Sequence, residues 1–440
     1  MATKKTTARK TKTTAGKRKK VAVKKKAAKV ARKKPVARKK AKKVAKKKPV
    51  AKKKAKKVAK KKPVAKKAAK KVARKKPAAK KTAKKVARKK PVAKKAAKKV
   101  ARKKPAAKKA AKKVAKKKPV AKKPTSAAKP IIVVTGATGA QGGGLVRAIL
   151  ADKNRSFAVR AVTRDKKSER AQALAKLGVE VVKADLDDLA SLKRAFKGAY
   201  GAFCVTNYWE HFSPEKETQQ AINLAEAAKA AKLEHVIWST FEDTRKWVPL
   251  DDTRMPTLMG NYKVPHFDAK AVANKVFWDL GVPTTMLLTS FYWDNLIYFG
   301  MGPQKGPDGV YAITLPMGER RLPGIARDDI GGCAYGIFKA GSKYINRTVG
   351  IAGEHPTGAD MAAALTKALG VQVRYNAVSA DDYRGFGFPG ADDLGNMFQF
   401  KRDFNGYYCG ARDVARSRVL NPSLQSFATW VDNNRKQIPL

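Results

Sequence analysis

Three glycines spaced three residues apart form a turn that could hold a phosphate group. Gly136, Gly139 and Gly142 lie in TGATGAQGG, after the β-branched run of residues 131–134 and before a helical pattern at residues 145–150. Glycine lets the backbone turn tightly and approach a pyrophosphate, whose charge is attracted by the N–H groups and dipole of a helix N-terminus. The spacing is GxxGxxG rather than GxGxxG, so the motif depends on its strand–turn–helix context. That context favours a dinucleotide over a purely structural turn.

A cation follows the second strand-like segment. Arg164 comes directly after residues 157–163. An acid at this strand end grips the ribose 2′-hydroxyl of NAD, whereas a cation accommodates the 2′-phosphate of NADP. Arg164 therefore predicts a preference for NADP(H), and the alternative is a solvated surface charge.

The elements that must position these residues alternate along the chain. Strand-like segments at residues 179–183, 201–206 and 235–240 are separated by helical patterns such as residues 219–231. This alternation predicts an α/β fold with a Rossmann-type doubly wound parallel sheet. A ligand is then expected at the carboxyl ends of the strands.

The N-terminal 130 residues carry most of the charge. They hold 63 of the 102 Lys and Arg residues and none of the 32 Asp and Glu residues, so the net charge of +70 is concentrated there. Proline recurs every 14 residues in a Lys/Ala/Val-rich repeat, at Pro35, Pro49, Pro63, Pro77, Pro91, Pro105 and Pro119. Ala and Val bury too little area to offset a backbone entropy of roughly 1–2 kcal/mol per residue. Residues 1–124 are predicted to be disordered when free, and residues 125–130 to form a linker.

The charge of residues 1–124 predicts DNA or another nucleic acid as the partner, because duplex DNA presents about one phosphate per 1.7 Å. The segment has no aromatic residue to stack on bases and no Asn, Gln or Asp to read base edges. Binding should therefore be independent of sequence. The alternatives are a solubilising tail, or one that binds anionic membranes or polyphosphate. By composition the segment resembles linker histone tails and the Lys/Ala/Pro-rich bacterial proteins similar to them, which implies compaction of DNA.

The remaining 310 residues are nearly balanced in charge. Residues 131–440 hold 39 basic and 32 acidic residues and are long enough for a full hydrophobic core. Cys204, Cys333 and Cys409 are too scattered for a disulfide framework or a metal site, which indicates a reducing compartment. No run approaches the roughly 18 apolar residues of a membrane span, and no apolar segment of a secretory signal follows the basic N-terminus. We expect an intracellular, DNA-associated protein of a nucleus, nucleoid or virion core.

Six motifs in order along the chain resemble the NmrA-like family of atypical short-chain dehydrogenase/reductase folds: TGATGAQGG, VTRD, KADLDD, CVTNYWE, HFDAK and GFPGADDLGNMF. The resemblance implies an NADP(H)-binding Rossmann core over residues ~131–295. It also implies a smaller C-terminal α/β part, residues ~296–440, that forms one wall of the cleft. Some members of the family are reductases, and others are regulatory proteins that sense NADP(H).

The resemblance also assigns residues along the whole cofactor. The pyrophosphate would be held by Gly136, Thr138, Gly139, Gln141 and Gly142. The other contacts would be Arg164 at the 2′-phosphate, Asp185 and Leu186 by the adenine, Thr206, Asn207 and Tyr208 along the cofactor, Lys270 by the nicotinamide ribose, and Tyr292 and Asn295 near the nicotinamide.

The catalytic box departs from the pattern of the short-chain dehydrogenases, which use Tyr-x-x-x-Lys. Here the box is His266-Phe267-Asp268-Ala269-Lys270, so the tyrosine proton donor is replaced. A lysine one turn away would favour the unprotonated form of His266, which makes it a poor acid. His266 is expected to pack or to support its neighbours, and a catalytic acid is the alternative. Ser239 and Thr240 lie at the strand end where the dehydrogenases keep a serine, and they either contact substrate or cap a turn.

Two functions of different classes stay open. The first is an NADP(H)-binding protein tethered to DNA, acting as a redox-sensing regulator or as a chromatin or DNA-packaging protein. The second is an NADPH-dependent reductase of a small carbonyl or quinone, localised on DNA by its tail. A third reading, a Rossmann body that has lost its nucleotide, is opposed by the intact glycines.

Overall fold

The computed structural model describes residues 129–440, so the basic repeat and its predicted contacts with nucleic acid lie outside the described residues. The strands of the described part are β1 Ile131–Val134, β2 Ala158–Thr163, β3 Glu180–Lys183, β4 Gly201–Cys204, β5 His235–Thr240, β6 Thr284–Leu288, β7 Phe291–Tyr292, β8 Gln304–Lys305, β9 Tyr311–Leu315, β10 Gly324–Ile325, β11 Thr348–Gly350 and β12 Val373–Ala377. The helices are α1 Ala140–Ala151, α2 Glu169–Lys176, α3 Leu189–Phe196, α4 Pro214–Ala230, α5 Pro265–Asp279, α6 Asn295–Tyr298, α7 Arg327–Lys339, α8 Gly358–Leu369, α9 Ala380–Arg384, α10 Ala391–Asp403, α11 Asn405–Ala411, α12 Val414–Leu420 and α13 Phe427–Asn434.

The main sheet has seven parallel strands in the order β11-β6-β5-β4-β1-β2-β3. The predicted Rossmann-type doubly wound sheet is thereby confirmed. Because β1 lies between β2 and β4, the strand order reverses at β1 and leaves a crevice at the carboxyl ends. The expected ligand site therefore lies where the glycine turn follows β1.

Helices cover both faces of this sheet. On one face α1 packs closely against α7, because a Cβ on Gly331 of α7 would lie 2.1 Å from the carbonyl carbon of Gly144. On the other face, Phe196 of α3, Leu224 of α4 and Phe277 of α5 are fully buried in one cluster with the strands. None of the helices within residues 129–440 is long and apolar enough to cross a membrane.

The C-terminal part builds a second core and also completes the first. Trp293, Phe398 and Trp430 are buried in one apolar cluster, beside the three-stranded sheet β12-β9-β8 and the pair β10-β7. Yet β11 pairs with β6 at the edge of the main sheet, and α7 covers α1. Two elements that follow residue 295, α7 and β11, thus pack with the Rossmann core.

Candidate functional site

The glycine turn after β1 forms an open cradle. Gly136 has φ +59°, a backbone conformation that favours glycine. A Cβ on Gly142 would lie 2.5 Å from the carbonyl oxygen of Gly136 and 2.6 Å from that of Thr135. The close approach of α1 to the end of β1 therefore requires glycine at position 142. Gly136 and Gly139 are exposed and Thr138 is partly exposed, so the surface of the turn is free for a ligand.

The first turn of α1 points into this cradle. The helix begins at Ala140, and its N-cap residue is Gly139, which has no side chain to cap the helix. The N–H groups of a first helical turn have no acceptor within the helix and attract anions. Backbone donors and the two exposed glycines, Gly136 and Gly139, fit a pyrophosphate, as the motif predicted.

Arg164 lies at the carboxyl end of β2, where the sequence analysis placed it. Its guanidinium donates two parallel hydrogen bonds to the carboxylate of Glu210, from Nη1 to Oε2 and from Nη2 to Oε1, each 3.0 Å long. Glu210 belongs to a short 3-10 turn, Tyr208–Glu210, after β4. Sequence reasoning missed this partner, which is 46 residues away.

Asp185 and Leu186 follow β3 and form a turn. The carboxylate of Asp185 accepts a hydrogen bond from the backbone N–H of Asp187 (3.0 Å). The carbonyl of Leu186 accepts one from the side chain of Asn223 on α4 (2.7 Å). Both residues are partly exposed at the same edge of the sheet as Arg164, so they lie where an adenine wall is expected.

Thr206, Asn207 and Tyr208 follow β4, beside the cradle. Thr206 and Tyr208 are buried, whereas Asn207 is exposed. The hydroxyl of Thr206 donates to Oε1 of Glu217 (2.6 Å), a fully buried carboxylate on α4. Of these three predicted contacts, the side chain of Asn207 is thus the most accessible to a ligand.

Lys270 points inward, to the end of β4. Its ammonium contacts the carbonyl oxygen of Thr206 (3.2 Å), the Thr206 hydroxyl (2.6 Å) and the carboxylate of Glu217. Two hydrogen bonds to Thr206 and an ion pair with Glu217 thus engage the ammonium. Oε2 of Glu217 lies 3.3 Å from Nε2 of His211. This buried cluster fixes the segment after β4, and a contact of Lys270 with a ribose stays a prediction.

His266 is held by the C-terminal part. Its Nδ1 lies 2.6 Å from Oδ1 of Asp393 on α10, and its backbone N–H donates to Oδ2 of Asp393 (3.2 Å). Its ring packs against those of Trp209 and Phe267, with both centroid distances 4.8 Å. From the sequence we expected Lys270 to favour the unprotonated form of His266. The charged group in contact with the imidazole is instead Asp393.

A hydroxyl network joins α1 to β5 and β7. The hydroxyl of Ser239 donates to Oε1 of Gln141 (2.8 Å), and Nε2 of Gln141 donates to the hydroxyl of Tyr292 (2.6 Å). Burial raises the pKa of the Tyr292 phenol to about 12. Asn295 begins α6, and its side chain makes no hydrogen bond within residues 129–440. Gln141, Ser239 and Tyr292 therefore meet at the carboxyl edge, and Asn295 does not join them.

Two buried cationic side chains lie deeper in the C-terminal part. Arg412 forms two hydrogen bonds with Glu242, of 2.7 and 3.0 Å. Lys401 lies beside Tyr408, with Nζ 3.1 Å from Sδ of Met397. Burial, together with the charge of Arg412, lowers the pKa of the Lys401 ammonium to about 7. No sequence motif marks these residues.

Comparison with known proteins gives a consistent family and fold. The model of the family described as "NmrA-like family" matches residues 128–430. The "NmrA-like family domain-containing oxidoreductase FrzB" of Cladobotryum sp is 28% identical over 297 residues, which cover 63% of this chain and 85% of that protein.

Two solved structures share the fold. NmrA, described as a negative transcriptional regulator, superposes with a TM-score of 0.57 at 23% identity, over 69% of this chain and 95% of NmrA. NmrA has also been solved in complex with NAD and with NADP. The triphenylmethane reductase of Citrobacter sp., complexed with NADP(H), gives a TM-score of 0.55 at 20% identity, over 69% of this chain and 99% of the reductase.

Proposed function

The chain belongs to the NmrA-like family, and on that premise we propose that residues 131–440 bind NADP(H) while the basic repeat of residues 1–124 holds this domain on nucleic acid. The protein acts as a redox-sensing regulator or as a DNA-packaging protein that carries a nucleotide. The observation that carries the proposal is the open glycine cradle at the carboxyl edge of β1, with Arg164 at the end of the adjacent β2.

The cradle supports a dinucleotide by its shape and by its donors. A pyrophosphate would lie over Gly136 and Gly139 and accept hydrogen bonds from the first turn of α1. Arg164 would face a 2′-phosphate, for which its planar fork provides two parallel donors. The cradle would bind either dinucleotide, and Arg164 is the feature that would favour NADP(H) over NAD(H).

The inner end of the cleft favours binding over efficient turnover. His266 replaces the tyrosine of the dehydrogenase box, and it is engaged by Asp393 and aromatic rings. The ammonium of Lys270 meets three internal oxygens. With no Tyr–Lys pair directed at a substrate, the domain would report the NADP(H) state rather than consume it. The FrzB relative is named an oxidoreductase, which keeps a reductase as the second candidate.

Cofactor binding is tested by calorimetric titration of the full chain with NADP⁺ and NAD⁺. We expect saturable binding of NADP⁺, and its loss in Gly142→Ala, because the added Cβ would meet the Gly136 carbonyl. Gly410→Ala is the control, since a Cβ there meets nothing within 4 Å. No binding by the parent protein, or equal affinities for NAD⁺ and NADP⁺, would overturn the cofactor assignment.

Nucleic-acid binding is tested by fluorescence anisotropy with a labelled duplex across a salt series. Each neutralised phosphate contributes about −0.9 to the slope of log K against log salt, so the full chain should bind steeply. Scrambled DNA of equal length should compete equally well. A chain that lacks residues 1–124 should lose this binding and keep its NADP⁺ affinity, which also reports that it is folded. DNA binding that survives the deletion would contradict the tether.

The second candidate, a reductase, is favoured by the network of Tyr292, Gln141 and Ser239. The Tyr292 hydroxyl accepts from Gln141, so its own hydrogen is free for a substrate oxygen, apart from a long 3.5 Å contact with Thr289. A high pKa keeps the phenol protonated at neutral pH. Tyr292 would give its proton to the carbonyl oxygen of the substrate, and water would reprotonate the phenolate. Bound NADPH would supply the hydride that reduces the carbonyl carbon.

Oxidation of NADPH by the full chain with a panel of quinones and small carbonyls separates the two candidates. Turnover that falls at least tenfold in Tyr292→Phe, with NADP⁺ affinity unchanged, would select the reductase. Bound NADPH that no substrate in the panel oxidises would select the sensor.

A further inference from the structure

The Arg164–Glu210 pair lies at the place where the 2′ position of the cofactor ribose is expected. Arg164 follows β2 and Glu210 follows β4, the two strands that flank β1 and its glycine turn. The side chains of Arg164 and Glu210 are 66% and 48% exposed, so the pair is open to a ligand from solvent. One position thus offers both the cation that accommodates a 2′-phosphate and the acid that grips a 2′-hydroxyl.

Among the carboxylates near the expected ribose position, that of Glu210 is the one free to bind a ligand hydroxyl. The carboxylate of Asp165 accepts from the N–H of Lys167 (2.8 Å), and that of Asp185 from the N–H of Asp187 (3.0 Å), so both hold backbone turns. Glu210 has no such role: its oxygens contact only the Arg164 fork within the described residues. A carboxylate can accept further hydrogen bonds from ribose hydroxyls while it is paired.

The backbone that carries Glu210 is anchored. Tyr208 is buried, and Trp209 packs on the His266 ring with centroids 4.8 Å apart. Phe212 has φ +52° and donates its N–H to the Tyr208 carbonyl (2.8 Å), which closes a tight turn. Such a φ is unusual for a bulky residue and persists because its surroundings hold it. The carboxylate is therefore presented at a defined place rather than on a free loop.

We propose that Glu210 is a specificity-determining residue that limits the preference of this site for NADP(H) over NAD(H). This inference rests on the proposed cofactor binding. With the pair closed, Glu210 accepts hydrogen bonds from the ribose hydroxyls of NAD(H). A 2′-phosphate displaces Glu210 from the Arg164 guanidinium and then lies next to the negative charge of Glu210. The carboxylate therefore lowers the affinity for NADP(H) and raises the affinity for NAD(H).

The test is Glu210→Gln in the full chain, titrated with NADP⁺ and with NAD⁺. Loss of one charge a few ångströms from the phosphate should raise the ratio of NADP⁺ to NAD⁺ affinity on the order of tenfold, and 0.5 M salt should reduce the gain. The control is Glu180→Gln. Glu180 is 50% exposed and pairs with Arg160, but it lies at the amino end of β3, on the other edge of the sheet. This control should leave the ratio unchanged.

The outcomes separate the inference from the proposed function. If the parent binds neither dinucleotide, the proposed function and this inference fall together. If the parent binds both with a preference for NADP⁺, and Glu210→Gln leaves the ratio within twofold or changes it no more than Glu180→Gln does, Glu210 has no role in specificity and the cofactor proposal stands. A raised ratio that disappears in the double variant with Arg164→Gln supports the transfer of the fork from Glu210 to the phosphate.

Discussion

The two ends of the cleft hold ion pairs of the same chemistry in opposite surroundings. At the outer end, Arg164 and Glu210 have side chains that are 66% and 48% exposed. At the inner end, Lys270 and Glu217 are 8% and 0% exposed. An exposed pair is screened by water and contributes about 0–1 kcal/mol, whereas removal of one partner of a buried pair leaves an uncompensated charge. The outer pair can therefore open for a ligand, and the inner pair holds the fold.

The largest expected effect tests this difference directly. Glu217→Leu leaves the Lys270 ammonium buried without its carboxylate and should lower the free energy of unfolding by about 3–5 kcal/mol. Glu210→Leu, the matched change at the outer end, should lower it by less than about 1 kcal/mol. Urea denaturation measures both. Similar losses for the two variants would remove the distinction between the two ends.

Adding Lys270→Met to Glu217→Leu should restore most of that loss. The double variant removes both charges, so no ion is left buried without a partner. If the double variant is as unstable as Glu217→Leu, the loss comes from the contacts of Glu217 with Thr206 and His211 instead.

The second effect concerns Lys401, a buried amine that forms no salt bridge within the described residues. The nearby carboxylate of Glu242 attracts it only at a distance, because that carboxylate is paired with Arg412. The folded pKa of about 7 lies below the ordinary value of 10.5. Between pH 7 and 10.5 the unfolded chain therefore binds more protons than the folded chain, so stability falls as pH falls through this window. Lys401→Met should remove this slope and stabilise the protein at pH 7 on the order of 4 kcal/mol. An unchanged slope of urea stability against pH would contradict the buried cation.

The third effect concerns the outer end of the cleft, where a substitution should change the affinity for NADP⁺ but leave the stability of the protein unchanged. Arg164→Asp replaces the phosphate-matching fork by a carboxylate next to Glu210. NADP⁺ affinity should fall roughly 30-fold, from the loss of charge-assisted hydrogen bonds, and NAD⁺ should become the preferred ligand. The free energy of unfolding should stay within about 0.5 kcal/mol of the parent. Calorimetry and urea denaturation check the two halves, and a large loss of stability would show that the outer pair is structural.

Local patterns were enough to predict the parallel Rossmann-type sheet. The strands β1 and β5 begin and end at the residues of their predicted strand-like segments, 131–134 and 235–240, because a buried parallel strand is visible as a short apolar segment. The glycine turn was predictable for a similar reason, because its glycines are required by local backbone geometry. Gly136 has a positive φ, and Cβ atoms on Gly139 and Gly142 would crowd the Gly136 carbonyl oxygen. The return of β11 and α7 to the main sheet was not predicted, because nothing near residue 295 signals it.

The partners of the site residues could not be predicted. Glu217 lies between Lys216 and Thr218 on α4 and looks like an ordinary surface glutamate in the sequence. Asp393 is 127 residues from His266. Which distant side chains meet depends on the packing of helices on the sheet, and periodicity reports only which face of a helix is buried. The residue types of the site were therefore readable from the sequence, but their pairing was not.

The smallest expected effect concerns His266, whose side chain forms no hydrogen bond or salt bridge with either charged pair within the described residues. Its imidazole faces Asp393 and the Trp209 ring, so we expect no direct contact with the dinucleotide. His266→Asn keeps a short side chain with an N–H donor for Asp393, and NADP⁺ affinity should stay within about twofold, less than 0.5 kcal/mol. Calorimetry measures this, with Arg164→Asp as the positive control. Any NADPH oxidation by the parent should also persist in this variant. If the activity disappears in His266→Asn while the protein stays folded, His266 serves as the proton donor in place of the absent tyrosine.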